Sequence, residues 1–298
     1  MYFRTMPKEI PMQIFSRMPE HFRKNGTRSE WADANKNGAF IDSFIEGPVL
    51  DGKGNLYITD IPFGRIFRIS PSKEWSLVAE YKGEPNGMKL LNEHELAVAD
   101  YRNGLVRINV HSGEVSALLS RRNAEQFKGV NDLTIARNGD IFFTDQGQTG
   151  LHDPTGRVYR LRSSGQLDLL LDNVPSPNGL ALSLDEKVLF VAATRGNCVW
   201  RVPLLADGSV SKVGQFFTFY GASGPDGMAI DHCGRLLVAH ASLGYVWVLN
   251  KRGEPEAIFT SPTGSTTTNL AIDKNDEQTI YVTESETGTV LCADLNAV

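Results

Sequence analysis

Apolar residues in this chain recur in short alternating runs rather than at helical spacing. "GRIFRI" (64–69), "GRVYRL" (156–161) and "GYVWVL" (244–249) each place every second side chain on one face, the period of a half-buried strand. Before each comes a polar turn rich in Asp, Asn and Gly, such as "GKGN", "RNGD" or "HCGR", where glycine supplies the positive φ of a tight hairpin. After each comes a fourth apolar stretch, as in "WSLVAEY", "LDLLLDN" and "VGQFFTF". Nothing between them reads as a long amphipathic helix.

The unit repeats. "EGPVLDGKGNLYITD", "PNGMKLLNEHELAVAD", "VNDLTIARNGDIFFTD", "PNGLALSLDEKVLFVAAT", "PDGMAIDHCGRLLVAH" and "TNLAIDKNDEQTIYVTE" share one internal order. Their key residues, Glu46, Asn86, Asn131, Asn178, Asp226 and Asn269, are 40, 45, 47, 48 and 43 positions apart. Four strands per repeat, six times, predict an all-β fold: a six-bladed β-propeller of four-stranded blades. The last copy stops after its third strand, "GTVLCADL", and "MQIFSRM" (12–18) is the candidate fourth. A strand from the N-terminus would then close the ring and cover an open sheet edge. Residues 1–298 form one propeller domain on this reading, with 19–44 an irregular insert placed to cap the channel mouth.

Strand direction alternates within a blade, so the loop entering the first strand and the loop leaving the second share one face of the ring. That face gathers the key residues. It also gathers Asp60, Asp100, Asp145, Thr194, His240 and Glu284, which follow them by 14, 14, 14, 16, 14 and 15 positions. Glu46, Asn131, Asn178 and Asp226 offer two carboxylates and two amides around an axis. Oxygen donors of this kind suit calcium, with magnesium or manganese a poorer fit; zinc more often recruits His or Cys. Asn86 and Asn269 read as turn formers. So does "DANKNG" (33–38), which matches the first half of an EF-hand loop but has Phe44 where the bidentate Glu belongs.

Charge and composition mainly exclude. A net charge of −5 without a basic block disfavours nucleic acid and anionic membranes. No apolar run approaches a membrane span, and "MYFRTMPKEIPMQIF" has no apolar segment of a secretory signal. Cys198, Cys233 and Cys292 have no metal-ligand spacing and read as reduced thiols, so a cytoplasmic location is expected. No GxSxG, HExxH, P-loop or dinucleotide fingerprint occurs. Oligomeric state is not encoded in any of these features.

The chain resembles the senescence marker protein (regucalcin), gluconolactonase and luciferin-regenerating enzyme family over about residues 40–292. "EGP" (46–48), "ND" (131–132), "PNG" (177–179) and "PDG" (225–227) carry the likeness, in the family's order. The resemblance implies a divalent cation, usually calcium, on Glu46, Asn178 and Asp226, with Asn131 touching metal, water or substrate. It also implies Asp226 as the catalytic residue. One departure concerns substrate: members that hydrolyse sugar lactones often carry an Arg two residues before the "ND" Asn, and here that residue is Gly129.

The expected function is therefore metal-dependent hydrolysis of a lactone or small ester, with Asp226 as base and His240 as auxiliary. Asn131 and Arg195 are the candidate substrate contacts. Two alternatives use the same residues: a phosphotriesterase-like hydrolase, and a propeller that binds calcium or serves as a scaffold without catalysis.

Overall fold

The computed structural model describes residues 6–298, in which six β-sheets succeed one another around a central axis. Residues 1–5, part of the stretch read as lacking a secretory signal, lie outside the described residues. The blades span 45–80, 85–119, 130–174, 177–218, 224–260 and 267–294. Each chain segment lays down strands from the axis outward, so the first strand of every blade lines the channel.

Closure uses the N-terminus twice. Strand β2 (Gln13–Arg17) pairs antiparallel with Thr289–Asp294 and supplies the fourth strand of blade six, as the alternation predicts. Strand β1 (Lys8–Pro11) then runs parallel to Pro255–Thr260 and adds a fifth strand to blade five. "KEIP" has no alternation and ends in proline, so this edge strand leaves no period-two signature. The two pairings tie blade five to blade six across the joint where the ring closes.

Among the described residues the core falls into six apolar wedges, one at each junction between neighbouring blades. Leu237 and Ala239 point to blade six, while Leu236 and Val238 point to blade four. Strand alternation thus fills both flanks of a blade, which explains near-continuous runs such as "LLVA".

Every inner strand breaks register at or beside its key residue; in blade one Glu46 still pairs with Thr59 and the break follows it. Pro225 pairs with His240 and Met228 with Val238, leaving a bulge at Asp226–Gly227, and blades two, three and four repeat the arrangement. A bulge turns a side chain out of the pleat. Glycine follows because neighbouring inner strands nearly touch there. A Cβ on Gly179 would stand 2.3 Å from the Asp226 carbonyl oxygen, and one on Gly47 2.2 Å from that of Asn86. The Pro-Asx-Gly turns are therefore a packing requirement of the channel as well as a way to aim a side chain.

Between β2 and blade one, the insert contains a short helix α1 (Glu30–Asn35), capped by Ser29, whose Oγ accepts from the Ala32 amide at 3.0 Å. Arg23 braces the insert internally through Asp42 at 2.8 Å and holds it to the ring through the Thr287 carbonyl at 2.9 Å. Trp31 packs on Phe44, ring centres 4.6 Å apart. "DANKNG" forms the end of α1 and its exit turn, and the Asp33 carboxylate pairs with Arg28 at 3.0 Å.

Candidate metal and catalytic site

The pairing of blade six corrects the repeat. Thr267 lies opposite Glu284, as Pro225 lies opposite His240, so Thr268 is the structural counterpart of Asp226. Asn269 is one position further in and corresponds to Gly227. "TNL" imitates "PNG" displaced by one residue, and spacing alone does not reveal which residue a bulge turns out. Blade four needs a similar correction: Ala193 pairs with Pro177, so Thr194 lies one past the matching position.

With that register, Glu46, Asn86, Asn131, Asn178, Asp226 and Thr268 all line one cavity of about 350 Å³ at the channel mouth. Asn86 thus faces the site rather than only forming a turn. The insert contributes Trp31, Asn35, Lys36 and Phe44 to the same wall, and Arg195 joins from blade four.

Beneath this ring lies a second layer. In four blades the residue after the key position is glycine; in blades three and six it is Asp132 and Asn269. The Asn269 amide donates to Glu46 Oε2 at 3.0 Å and to Asp132 Oδ2 at 3.3 Å. Asp132 also accepts from the Leu133 amide at 2.7 Å, and Glu46 accepts from the Gly47 amide. Asn269 is therefore a buried bridge, not a turn former. Asp132 was readable only as the second letter of "ND".

Three carboxylates converge here, and each is held above its ordinary range. Burial is the first cause for Glu46, followed by the charges of Asp226 and Asp132. Asp226 is pushed up to about 8 by burial and Asp132, against the Asn178 hydrogen bond and the charges of Arg195 and Lys36. Burial likewise raises Asp132, opposed by Lys89 and its own donors. One further atom lacks a partner: the side-chain amide of Asn131 donates to Gln146 at 2.9 Å, but its buried Oδ1 accepts nothing.

Among the described residues no three His, Cys, Asp or Glu side chains alone form a metal-binding group. A cation at the ring must therefore use amide oxygens. Glu46 and Asp226 supply charge, Asn178 a neutral oxygen, and the orphaned Asn131 oxygen an unused donor. That chemistry fits a hard dication.

The strand ends divide into braces and an exception. Asp60, Asp100, Asp145 and Glu284 accept from the backbone amides of Phe44, Glu84, Gly129 and Thr266, two residues before each key position. These acids fix the entry loops. His240 has the matching place in blade five but points along the Leu236–Val238 flank toward blade four, where its ring centre is 5.3 Å from that of Phe219. It is fully buried, neither ring nitrogen makes a well-formed hydrogen bond, and burial, weakly opposed by the Ala222 backbone, drops its pKa to about 4. The structure does not bring it into the mouth cavity.

Gly129 has a physical cause as well. A Cβ there would stand 2.3 Å from the Tyr101 ring, which occupies the space an arginine would need. Tyr101 lines the cavity, so this wall is aromatic rather than cationic.

Comparison with known proteins agrees with the architecture. Residues 44–286 match the family described as SMP-30/Gluconolactonase/LRE-like region. The chain belongs to this family. Lactonase drp35 of Staphylococcus aureus is 29% identical over 241 residues, covering 77% of this chain and 72% of that protein. Among solved structures, a gluconolactonase from Xanthomonas campestris superposes with a TM-score of 0.75 at 22% identity, covering 96% and 95% of the two chains. A calcium-binding regucalcin from Agrobacterium tumefaciens gives 0.76 at 19%, with the same coverage. At these identities the two superpositions establish the shared fold.

Proposed function

We propose that the protein is a divalent-cation-dependent hydrolase of a lactone or related small ester, with the mouth ring as its active site. The observation that carries the reading is the ring itself: two desolvated carboxylates and two amides facing one cavity, with one buried amide oxygen unused. Membership of a family whose matched relative is named a lactonase supports the same chemistry.

Glu46, Asn178 and Asp226 would hold the cation, with Asn131 as a fourth donor or a substrate contact. Calcium is the best match to this oxygen set. When bound, such an ion supplies electrophilic polarisation of an ester carbonyl. Asp226 is the residue that takes and returns a proton, because it is the carboxylate both on the ring and partly exposed to the cavity. A neighbouring dication lowers its basicity, and its buried surroundings act in the opposite direction. Asn269 and the Gly47 amide orient Glu46, while the strand-end acids hold the loops. α1 and its exit turn cap the mouth and limit access by water. No helix among the described residues is long and apolar enough to cross a membrane. Free thiols at Cys198, Cys233 and Cys292 suit the reducing cytoplasm.

The test is a panel of aldono-, aliphatic and aromatic lactones with phosphotriesters beside them, assayed with and without chelator. Turnover of a lactone that disappears on chelation and returns with calcium supports the assignment. Hydrolysis of phosphotriesters alone would move the same site to the other chemistry. No chelator-sensitive hydrolysis of either class would leave a binding propeller.

A further inference from the structure

Two cations at the cavity feel the Asp226 charge but make no ion pair among the described residues. Lys36 ends α1, is half-buried, and puts Nζ 4.7 Å from the centre of the Phe44 ring without an ion pair. Arg195 follows the second strand of blade four, is exposed, and makes no side-chain hydrogen bond or ion pair. Arg102 and Arg162 pair with Glu84 and Asp168, while Arg17, Arg121 and Arg201 are exposed and unpaired like Arg195, so it is the place of Arg195 at the cavity that sets it apart. Besides Asp226, Glu286 is the acid that acts on Lys36, and its carboxylate already accepts from the Ser265 amide at 2.9 Å and hydroxyl at 3.2 Å.

Arg195 also has a particular place. Together with Asn35, Gln146 and Ser176 it lines both the mouth cavity and an adjoining hollow of about 590 Å³ bounded by residues 146–152. The two spaces therefore meet at Arg195, and a molecule seated on the ring can extend past it. A dication held by Glu46 and Asp226 would offset the acid that Lys36 and Arg195 now feel and leave the two cations free to meet an anion on the wall. A desolvated ammonium without a counterion is costly, so the pocket is poorly matched to a neutral ligand. Burial also lowers the pKa of Lys36, against the opposing charges of Asp226 and Glu286 and with a smaller push from Arg195.

We infer that the substrate carries a second, anionic group, a carboxylate or a phosphate, which lies between Lys36 and Arg195 while its ester carbonyl lies at Glu46, Asn178 and Asp226. This inference rests on the hydrolase reading above and narrows its substrate class. Both anion types use the same charge-assisted hydrogen bonds, and a guanidinium can meet either in bidentate fashion.

The experiment uses the full chain in calcium-containing buffer with three lactones of one ring. They are 5-oxotetrahydrofuran-2-carboxylate, its primary amide, and the corresponding 2-(phosphonooxymethyl) lactone. The readout is the ratio of kcat/KM between charged and amide substrates. Charged substrates should be preferred about 10–100-fold, mostly through KM, the size of one or two charged hydrogen bonds. A Lys36→Met/Arg195→Gln double variant should bring that ratio close to one, and each single variant should lose part of it. Whichever anion is favoured names the source. Equal hydrolysis of amide and anions by the wild type overturns the inference, as does an unchanged ratio in the variants. If none of the three lactones is turned over, the wider panel decides the hydrolase reading, and calorimetry with 2-hydroxyglutarate, the ring-opened carboxylate, decides this claim separately. Binding by the wild type that is lost in the double variant upholds an anion site; no binding by the wild type overturns it.

Discussion

The two ends of the central channel are built from the same six strands, yet they have opposite character. At one end the strands present Glu46, Asn86, Asn131, Asn178, Asp226 and Thr268 to a polar cavity. Four residues further along each strand, Leu50, Leu90, Ile135, Leu182, Ile230 and Ile272 line a hollow of about 440 Å³ at the other end. Backbone course is shared, so chemistry depends on what lies at the bulge and what lies after it. At the bulge, side chains are turned into the channel and the neighbouring inner strands are pressed together at the glycine contacts. After it, ordinary pleating resumes and the strands offer apolar residues. The constant four-residue offset also supports Thr268, not Asn269, as the sixth member of the ring. The far hollow touches none of Glu46, Asp132 and Asp226, and its size alone gives it no claim to the reaction.

The sharpest way to separate the two ends is to remove one charge at the mouth while keeping its shape. Asp226→Asn should lower kcat/KM on a lactone substrate by about 10²–10⁴-fold, the range for loss of a positioned acid–base group. Retention of full turnover by this variant would remove Asp226 from the chemistry and leave it at most a ligand. Glu46→Gln comes next. Calorimetry with calcium should show affinity reduced by about 100-fold or more, because one of two balancing charges is gone and Asn269 loses its ionic acceptor.

His240 tests the boundary of the mouth. Burial holds its pKa near 4, below the ordinary value of about 6.5, so the native state binds fewer protons than the unfolded chain between these pH values. Stability linked to this residue is present above about pH 6.5 and is lost as pH falls toward 4. His240→Phe should remove about 2 kcal/mol of that acid-side loss, seen as a smaller drop in Tm between pH 7 and 4.5. Activity changing by more than about tenfold at pH 7 would instead place His240 in the proton path. The smallest effect belongs to the far end: Ile135→Ala should cost about 1–2 kcal/mol of stability, less than a fully buried site, and leave calcium affinity unchanged.

Much of this architecture was legible because propeller blades repeat their alternation. The sixfold unit and the closing strand β2 followed from period-two runs between glycine turns. β1 was not legible, since four residues ending in proline carry no period. Register was the harder problem. "TNL" and "PNG" look equivalent in a string, while pairing with Glu284 shows that the bulge in blade six turns out Thr268 and tucks Asn269 underneath. Asp132 was hidden for a related reason: it occupies a glycine position, and only the packing of neighbouring inner strands shows that the position faces the axis. His240 read as a mouth residue because strand-end acids occupy its place in four other blades. Its side-chain direction is set by a flank that already carries Leu236 and Val238. Lys36 sat in an EF-hand imitation within an irregular insert, where no period marks which residue reaches inward.

Calcium titration by isothermal calorimetry on the wild-type protein, after exhaustive chelation, tests the central claim most directly. The ring predicts one equivalent of calcium bound per chain, with a matching rise in Tm that Glu46→Gln and Asp226→Asn diminish. No heat of binding and no rise in Tm would contradict a cation site at the mouth and, with it, the cation-dependent hydrolase proposed for this protein.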